Sequence, residues 1–128
     1  PLALVLLDLD HFKRVNDTLG HLAGDQVLRD TAMEVRRHLR ETDLLGRWGG
    51  EEFLLVCPGL SGEEARRVAQ RICEAMRQRR FLSGHRQTLS AGVSAVRRGD
   101  TLDALLMRVD EALYRAKLEG RDRVCLLD

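Results

Sequence analysis

This 128-residue chain shows no run long enough for a membrane span, no disulfide framework and no zinc motif, and export by its own sequence is not expected. Its apolar runs stop far short of the roughly 20 residues that a spanning helix needs, and its opening segment lacks the basic start of a signal peptide. Cys57, Cys73 and Cys125 are odd in number, widely spaced and without a Cys-x-x-Cys pair, which points to a reducing compartment. His11, His21, His38 and His85 lack metal-ligand spacing and read as ordinary surface or supporting residues. A net charge of +1 gives no long-range attraction to nucleic acid or membrane. No Gly-x-x-x-x-Gly-Lys-Ser/Thr occurs, so a P-loop GTPase is excluded. Lysine is scarce: Lys13 and Lys117 are the only two, each beside a polar motif. The length suits one compact domain that buries roughly two-thirds of its unfolded surface.

What is present is concentrated at Gly49-Gly50-Glu51-Glu52-Phe53, a poor way to build a core. Leu44–Trp48 and Phe53–Cys57 read as short strands, so Gly49-Gly50 forms the tip of a β-hairpin. A tip without side chains lets a planar or phosphorylated ligand approach the backbone. Glu51 and Glu52 then project to opposite faces of the strand that begins there. A plain turn pair followed by two solvated glutamates explains the same residues. The second acidic element follows Leu2–Leu7, an apolar run suited to a strand buried on both faces, which ends in Asp8-Leu9-Asp10. Carboxylates there are costly to desolvate unless neutralised, and Mg²⁺ would do so with one or two of them, water and substrate phosphates. Capping of the next element by solvated Asp8 and Asp10 is the other reading.

Periodicity orders the remaining elements. Asn16–Asp25 is loop or short-helix material, after which Val27, Leu28, Ala32, Val35 and Leu39 mark an amphipathic helix. Ser61 with Glu64 forms a capping box that opens a helix through about Arg79. Gln87–Val96 reads as a strand, Leu102–Ala116 stripes a helix that stops near Gly120, and Val124–Leu127 closes the chain as a strand. The expected class is α+β: a ferredoxin-like, nucleotidyl-cyclase palm of βαββαβ order plus an added helix and strand, with helices packed on an antiparallel central sheet. The element order suggests that they occupy one face. In this fold the end of the first strand neighbours the hairpin, so Asp8 and Glu51 could meet around one metal cluster.

The chain resembles the GGDEF family of diguanylate cyclases, in its Gly-Gly-Glu-Glu-Phe variant. The likeness runs through Asp8–Asp17, Gly20-His21, Gly24-Asp25, the hairpin, Ser90–Val93, Ala112–Lys117 and Gly120-Arg121. The resemblance implies condensation of two GTP into cyclic di-GMP with release of two pyrophosphates. It also implies two Mg²⁺ ions per GTP, with Mn²⁺ as a substitute. Asp8 and Glu51 would bind the metal with the Leu9 carbonyl, and Lys13 and Glu52 would join them among the catalytic residues. Glu52 would either help activate the hydroxyl or shape the site. Asn16 and Asp25 match the guanine readers: a carboxylate accepts from guanine's N1 and N2 hydrogens, and an amide donates to the ring. An Asx turn and a first-turn helix residue are their plainer roles. Backbone donors at Phe12 and Lys13, with the side chains of Lys117 and Arg121, would hold the β- and γ-phosphates at a site that also includes Gly49 and Gly50. On a helix Lys117 and Arg121 would share a face; cations near a helix C-terminus are equally sound on their own.

Arg40-Glu41-Thr42-Asp43 stands at the spacing of the family's Arg-x-x-Asp inhibitory site for cyclic di-GMP, and Arg71 at the place of a secondary arginine. A helix end carrying an ion pair is the plainer reading of Arg40 and Asp43. Unlike the usual pattern, the chain begins at Pro1 on its first strand, and Trp48 and Ala91 replace the more usual Tyr and Ile or Val. It is expected to be a fragment of a longer bacterial, cytoplasmic protein with an upstream sensory or receiver module, tethered if that module is membranous. Catalysis would need a homodimer, since one domain holds one GTP, and neither nucleic acid nor membrane contact is expected of this domain. The alternatives are a catalytically silent domain that binds GTP or senses cyclic di-GMP, and a structural module.

Overall fold

The computed structural model describes residues 1–128. The elements run β1 (Leu2–Leu9), α1 (Phe12–Leu19), α2 (His21–Arg36), β2 (Leu44–Arg47), β3 (Glu52–Pro58), α3 (Gly62–Gln78), β4 (Leu89–Ala95), α4 (Leu102–Leu118) and β5 (Val124–Leu126). They build one five-stranded sheet in the order β2-β3-β1-β4-β5. The first four strands are antiparallel, as the sequence suggested, whereas β5 joins β4 in parallel. The reason is α4, a crossover that returns the chain in the direction of β4.

Helices cover both faces, where element order alone suggested one. Alternation along β1 explains this: Ala3, Val5, Leu7 and Leu9 enter the larger core with α2 and α3 residues, while Leu4 and Leu6 pack with Leu105, Val109 and Leu113 of α4. A strand buried on both faces must be apolar throughout, which is why β1 reads as an unbroken run. Burying each large α4 side chain contributes about 1.5–3 kcal/mol. The α4 backbone sits against β4 because Gly92 has no side chain; a Cβ there would come 2.3 Å from the Leu113 nitrogen. That close approach carries Lys117, one turn further on, to the end of β1.

The capping box opens α3 as expected: the Ser61 N–H donates to Glu64 Oε1 at 2.9 Å, and the Glu64 N–H donates to Ser61 Oγ at 3.2 Å. Of the loop or short helix expected over Asn16–Asp25, the structure takes the helix: the stretch holds the end of the short α1 and the start of α2, broken only at Gly20 (φ 91°). Polar, turn-forming residues there conceal helices held by tertiary packing of Phe12, Val15 and Ala23. No helix is long and apolar enough to cross a membrane.

Candidate active site

β1, the hairpin, α1 and the end of α4 converge on one cleft. Asp8, 7 % exposed, pairs in register with Glu52, and the Leu9 N–H donates to the Glu51 carbonyl at 3.2 Å. Asp8 and Glu51, far apart in sequence, thereby line the same cleft of 230 Å³ with Leu9, Phe12, Lys13, Lys117 and Arg121. The cation that neutralises Asp8 is Lys117, whose Nζ contacts Asp8 Oδ2. Burial above all, with the Asp8 carboxylate beside it, holds the Glu51 carboxyl above the usual carboxylate range, and Lys117 offsets part of this. Glu52 is raised for the same reasons in the same order, but it lines neither this cleft nor the next. Its carboxylate instead lies under the hairpin tip, where a Cβ on Gly49 would stand 3.3 Å from Glu52 Oε1.

Strand β3 begins at Glu52, so Glu51 belongs to the tip rather than to an alternating pair of strand residues. Neither Gly49 nor Gly50 has positive φ, so the turn itself does not demand glycine. A Cβ on Gly50 would meet nothing within 4 Å, which leaves open space beside the cleft. Gly50 thus lines open space at the adjoining cleft, while Gly49 packs closely over Glu52.

A second cleft of 460 Å³ adjoins the first and shares Phe12, Lys13 and Glu51 with it. Asn16, Asp25 and Gly50 line it too. Asn16 is seated against α2 because of Gly24, where a Cβ would fall 1.9 Å from Asn16 Oδ1. Between the clefts, α1 starts at His11 in the left-handed conformation (φ 54°, ψ 32°) without any side-chain cap. The first N–H groups of α1, at Phe12 and Lys13, therefore keep their donors for an acceptor outside the helix.

One geometric expectation fails. Lys117 and Arg121 do not share a helix face, because α4 ends at Leu118 and Gly120 and Arg121 turn left-handed, at φ 126° and 63°. The loop brings Arg121 into the cleft nonetheless. The structure also reveals residues that spacing did not single out. Arg47 donates to the carbonyls of Gly49 at 3.2 Å and Gly50 at 2.6 Å, and its guanidinium lies over Phe53, 5.7 Å from the ring centroid. A lone arginine before the paired glycines was the available signal. Asp10, the other carboxylate of the strand end, is buried and accepts from Thr88 Oγ1 and Ser90 Oγ at 2.7 Å, which makes it a tie between strands.

Arg40 and Asp43 form a turn after α2. Arg40 Nη2 lies 2.6 Å from Asp43 Oδ1, and the Arg40 N–H donates to Asp43 Oδ2 at 2.8 Å. The hydrogen bonds from Arg40 hold the Asp43 carboxyl below its ordinary range. The Arg40 side chain stays half exposed, with Nη2 also on the Pro58 carbonyl at 2.7 Å. Arg71 is exposed on α3 and makes no hydrogen bond or ion pair with this turn. No three His, Cys, Asp or Glu side chains gather in metal-binding geometry. The donor pair Asp8 and Glu51 still suits Mg²⁺, which takes few protein carboxylates and completes its shell with water and phosphate oxygens.

Residues 1–123 match the family model described as diguanylate cyclase, GGDEF domain. The chain is 45% identical to diguanylate cyclase DgcP of Pseudomonas aeruginosa over 126 residues, covering 96% of this chain and 19% of that protein. It is 42% identical to response regulator PleD of Caulobacter vibrioides, covering 97% of this chain and 29% of that protein. The chain therefore spans well under a third of either relative. Among solved structures, the active GGEEF domain of a Vibrio cholerae diguanylate cyclase superposes with a TM-score of 0.95 at 35% identity, covering 99% of this chain and 83% of that one. The GGDEF domain of DgcB from Caulobacter crescentus, solved in complex with c-di-GMP, gives 0.92 at 32% identity, covering 98% and 77%. With the Gly-Gly-Glu-Glu-Phe hairpin, the palm-like sheet and near-complete coverage in agreement, this chain belongs to the GGDEF diguanylate cyclase family.

Proposed function

We propose that this domain condenses two GTP molecules into cyclic di-GMP. The observation that carries the reading is the pair of adjoining clefts. Asp8, Glu51, Lys117 and Arg121 surround one, Asn16 and Asp25 line the other, and the Phe12 and Lys13 backbone donors lie between them. In this reading the guanine occupies the wider cleft. Asp25 accepts from its N1 and N2 hydrogens and Asn16 donates to the ring, so an adenine would leave both unpaired.

The triphosphate lies in the narrower cleft. Phe12 and Lys13 N–H groups take phosphate oxygens at the α1 N-terminus, and Lys117 and Arg121 hold the β- and γ-phosphates. Asp8 and Glu51, with the Leu9 carbonyl, would hold two Mg²⁺ or Mn²⁺ ions. Bound there, the ions neutralise phosphate oxygens and make the 3′-hydroxyl more acidic. Lys117 then exchanges its Asp8 contact for phosphate. The Lys13 side chain adds positive charge at the cleft edge, and Glu52 shapes the hairpin tip from beneath.

Each 3′-oxygen attacks the α-phosphorus of the other GTP. A new O–P bond forms, the bond to the β-phosphate oxygen breaks, pyrophosphate departs and the hydroxyl proton passes to solvent. One domain presents one GTP, so two copies must face each other, and alignment across that dimer supplies much of the rate. The Arg40-Asp43 turn, with Arg71 from a neighbouring copy, binds the product and restrains turnover. Whole-protein control by an upstream sensory or receiver module fits the short span of the relatives that this chain covers. Incubation with GTP and Mg²⁺ followed by chromatography tests the reading. Cyclic di-GMP and pyrophosphate in a 1:2 ratio support it; product binding without turnover would instead identify a receptor.

A further inference from the structure

Residues 120–122 form the most contorted segment of the fold. Gly120, Arg121 and Asp122 have φ of 126°, 63° and 50° in succession. Left-handed backbone is unfavourable wherever a Cβ is present, and such a run persists only when its surroundings over-determine it. Three elements do so here. From α4, the carbonyls of Lys117 and Ala116 accept the Gly120 and Arg121 N–H groups at 3.3 and 3.0 Å. From just past the end of β1, Asp10 Oδ2 accepts the Asp122 N–H at 3.1 Å. From α3, Arg77 grips Asp122 twice: Nε donates to Oδ1 at 2.8 Å and Nη2 donates to the carbonyl at 3.0 Å. A guanidinium fork that holds both the side chain and the backbone of one residue fixes its dihedrals, a task for which lysine lacks the geometry.

Arg121 adjoins this clamp and faces the cleft, whereas Arg77 does not line it. We infer that Arg77 is a positioning residue: through Asp122 it holds the left-handed turn that aims Arg121 at the substrate's terminal phosphates. The inference rests on the reading of the Asp8–Glu51 cleft as the triphosphate site. It explains why a cation beyond the end of α4 reaches a place that helical spacing cannot give it.

Arg77→Met keeps most of the stem and removes both donors. Affinities for a non-hydrolysable GTP analogue with Mg²⁺ and for GMP are measured by calorimetry for the wild type, Arg77→Met, Arg121→Ala and the double variant. Arg77→Met is expected to weaken the analogue about tenfold, the scale of one charge-assisted hydrogen bond lost by Arg121. It should also raise KM more than it lowers kcat. GMP, which lacks the phosphates Arg121 would hold, should bind unchanged, and Arg77→Met should add little to Arg121→Ala. Asp122→Asn keeps an oxygen for Arg77 Nε and tolerates left-handed backbone, so it should stay near wild type. Arg77→Lys, which guards against a folding defect in the Met variant, should fall between. Wild-type affinity in Arg77→Met alongside a weakened Arg121→Ala would overturn the positioning role and leave the triphosphate reading standing. Equal losses for GMP and the analogue would overturn it too, by marking a general structural defect. A wild-type domain that fails to bind the analogue overturns the triphosphate reading itself, and this role with it.

Discussion

Gly24→Ala separates stability from recognition at a single atom. The added Cβ would stand 1.9 Å from Asn16 Oδ1 and 3.3 Å from Phe12 Cζ. The Asn16 amide must therefore retreat by more than about 1 Å to restore van der Waals contact. That displacement exceeds the roughly 0.5 Å window over which a hydrogen bond keeps good geometry. A lost amide–guanine bond costs about 0.5–1.5 kcal/mol, or up to about tenfold in GTP affinity. The fold should scarcely notice, because alanine gains about 0.8–1 kcal/mol of helix propensity over glycine inside α2, against a modest shift of Phe12. Calorimetric titration with a GTP analogue should show weaker binding, while thermal unfolding stays within a few degrees of wild type. Unchanged affinity would refute the placement of Asn16 as a guanine reader. A collapse in melting temperature would show that Asn16 cannot move and that Gly24 is structural.

Further expectations follow from the same geometry. Gly50→Ala should fold normally, since nothing lies within 4 Å of its Cβ and its φ is not positive, yet turnover should fall sharply; full activity would show that no ligand approaches the tip. Glu51→Gln should abolish turnover and raise the melting temperature of the metal-free domain at neutral pH. The sign follows from the raised Glu51 pKa: its stabilising contribution is present below the unfolded value of about 4.3 and is lost as pH rises through the folded value. Because a protonated Glu51 is a poor ligand, stabilisation by Mg²⁺, followed as a thermal shift, should fade on acidification at a higher pH than an ordinary carboxylate would give. Arg40→Ala should relieve product inhibition in steady-state assays and spare kcat. It should also lower the melting temperature somewhat, because the buried Asp43 carboxylate loses its partner; unchanged inhibition would count against the regulatory turn.

The strands and the long helices were legible because each obeys a strong local rule: an unbroken apolar run for β1, a capping box for α3 and a 3.6-residue stripe for α4. That Asp8 and Glu51 line one cleft was legible because strand order brings the end of β1 beside the hairpin. Features set by tertiary contact were not. Asn16 and Asp17, followed by Gly20, look as much like a loop as a helix, although packing of Phe12 and Val15 places both in helix α1. The left-handed turn that redirects Arg121 depends on Asp10 and Arg77, whose bonds join residues 112 and 45 positions apart. The contact between Arg47 and the hairpin carbonyls is equally invisible to spacing, because it requires the tip to fold back on its own strand.

The most direct test is diffraction from crystals grown with Mn²⁺ and a non-hydrolysable GTP analogue, with the metal located by its anomalous signal. The account predicts an ion between the carboxylates of Asp8 and Glu51 that also touches the triphosphate, with Lys117 moved from Asp8 to phosphate. Nucleotide bound elsewhere, or metal seated without either carboxylate, would contradict it.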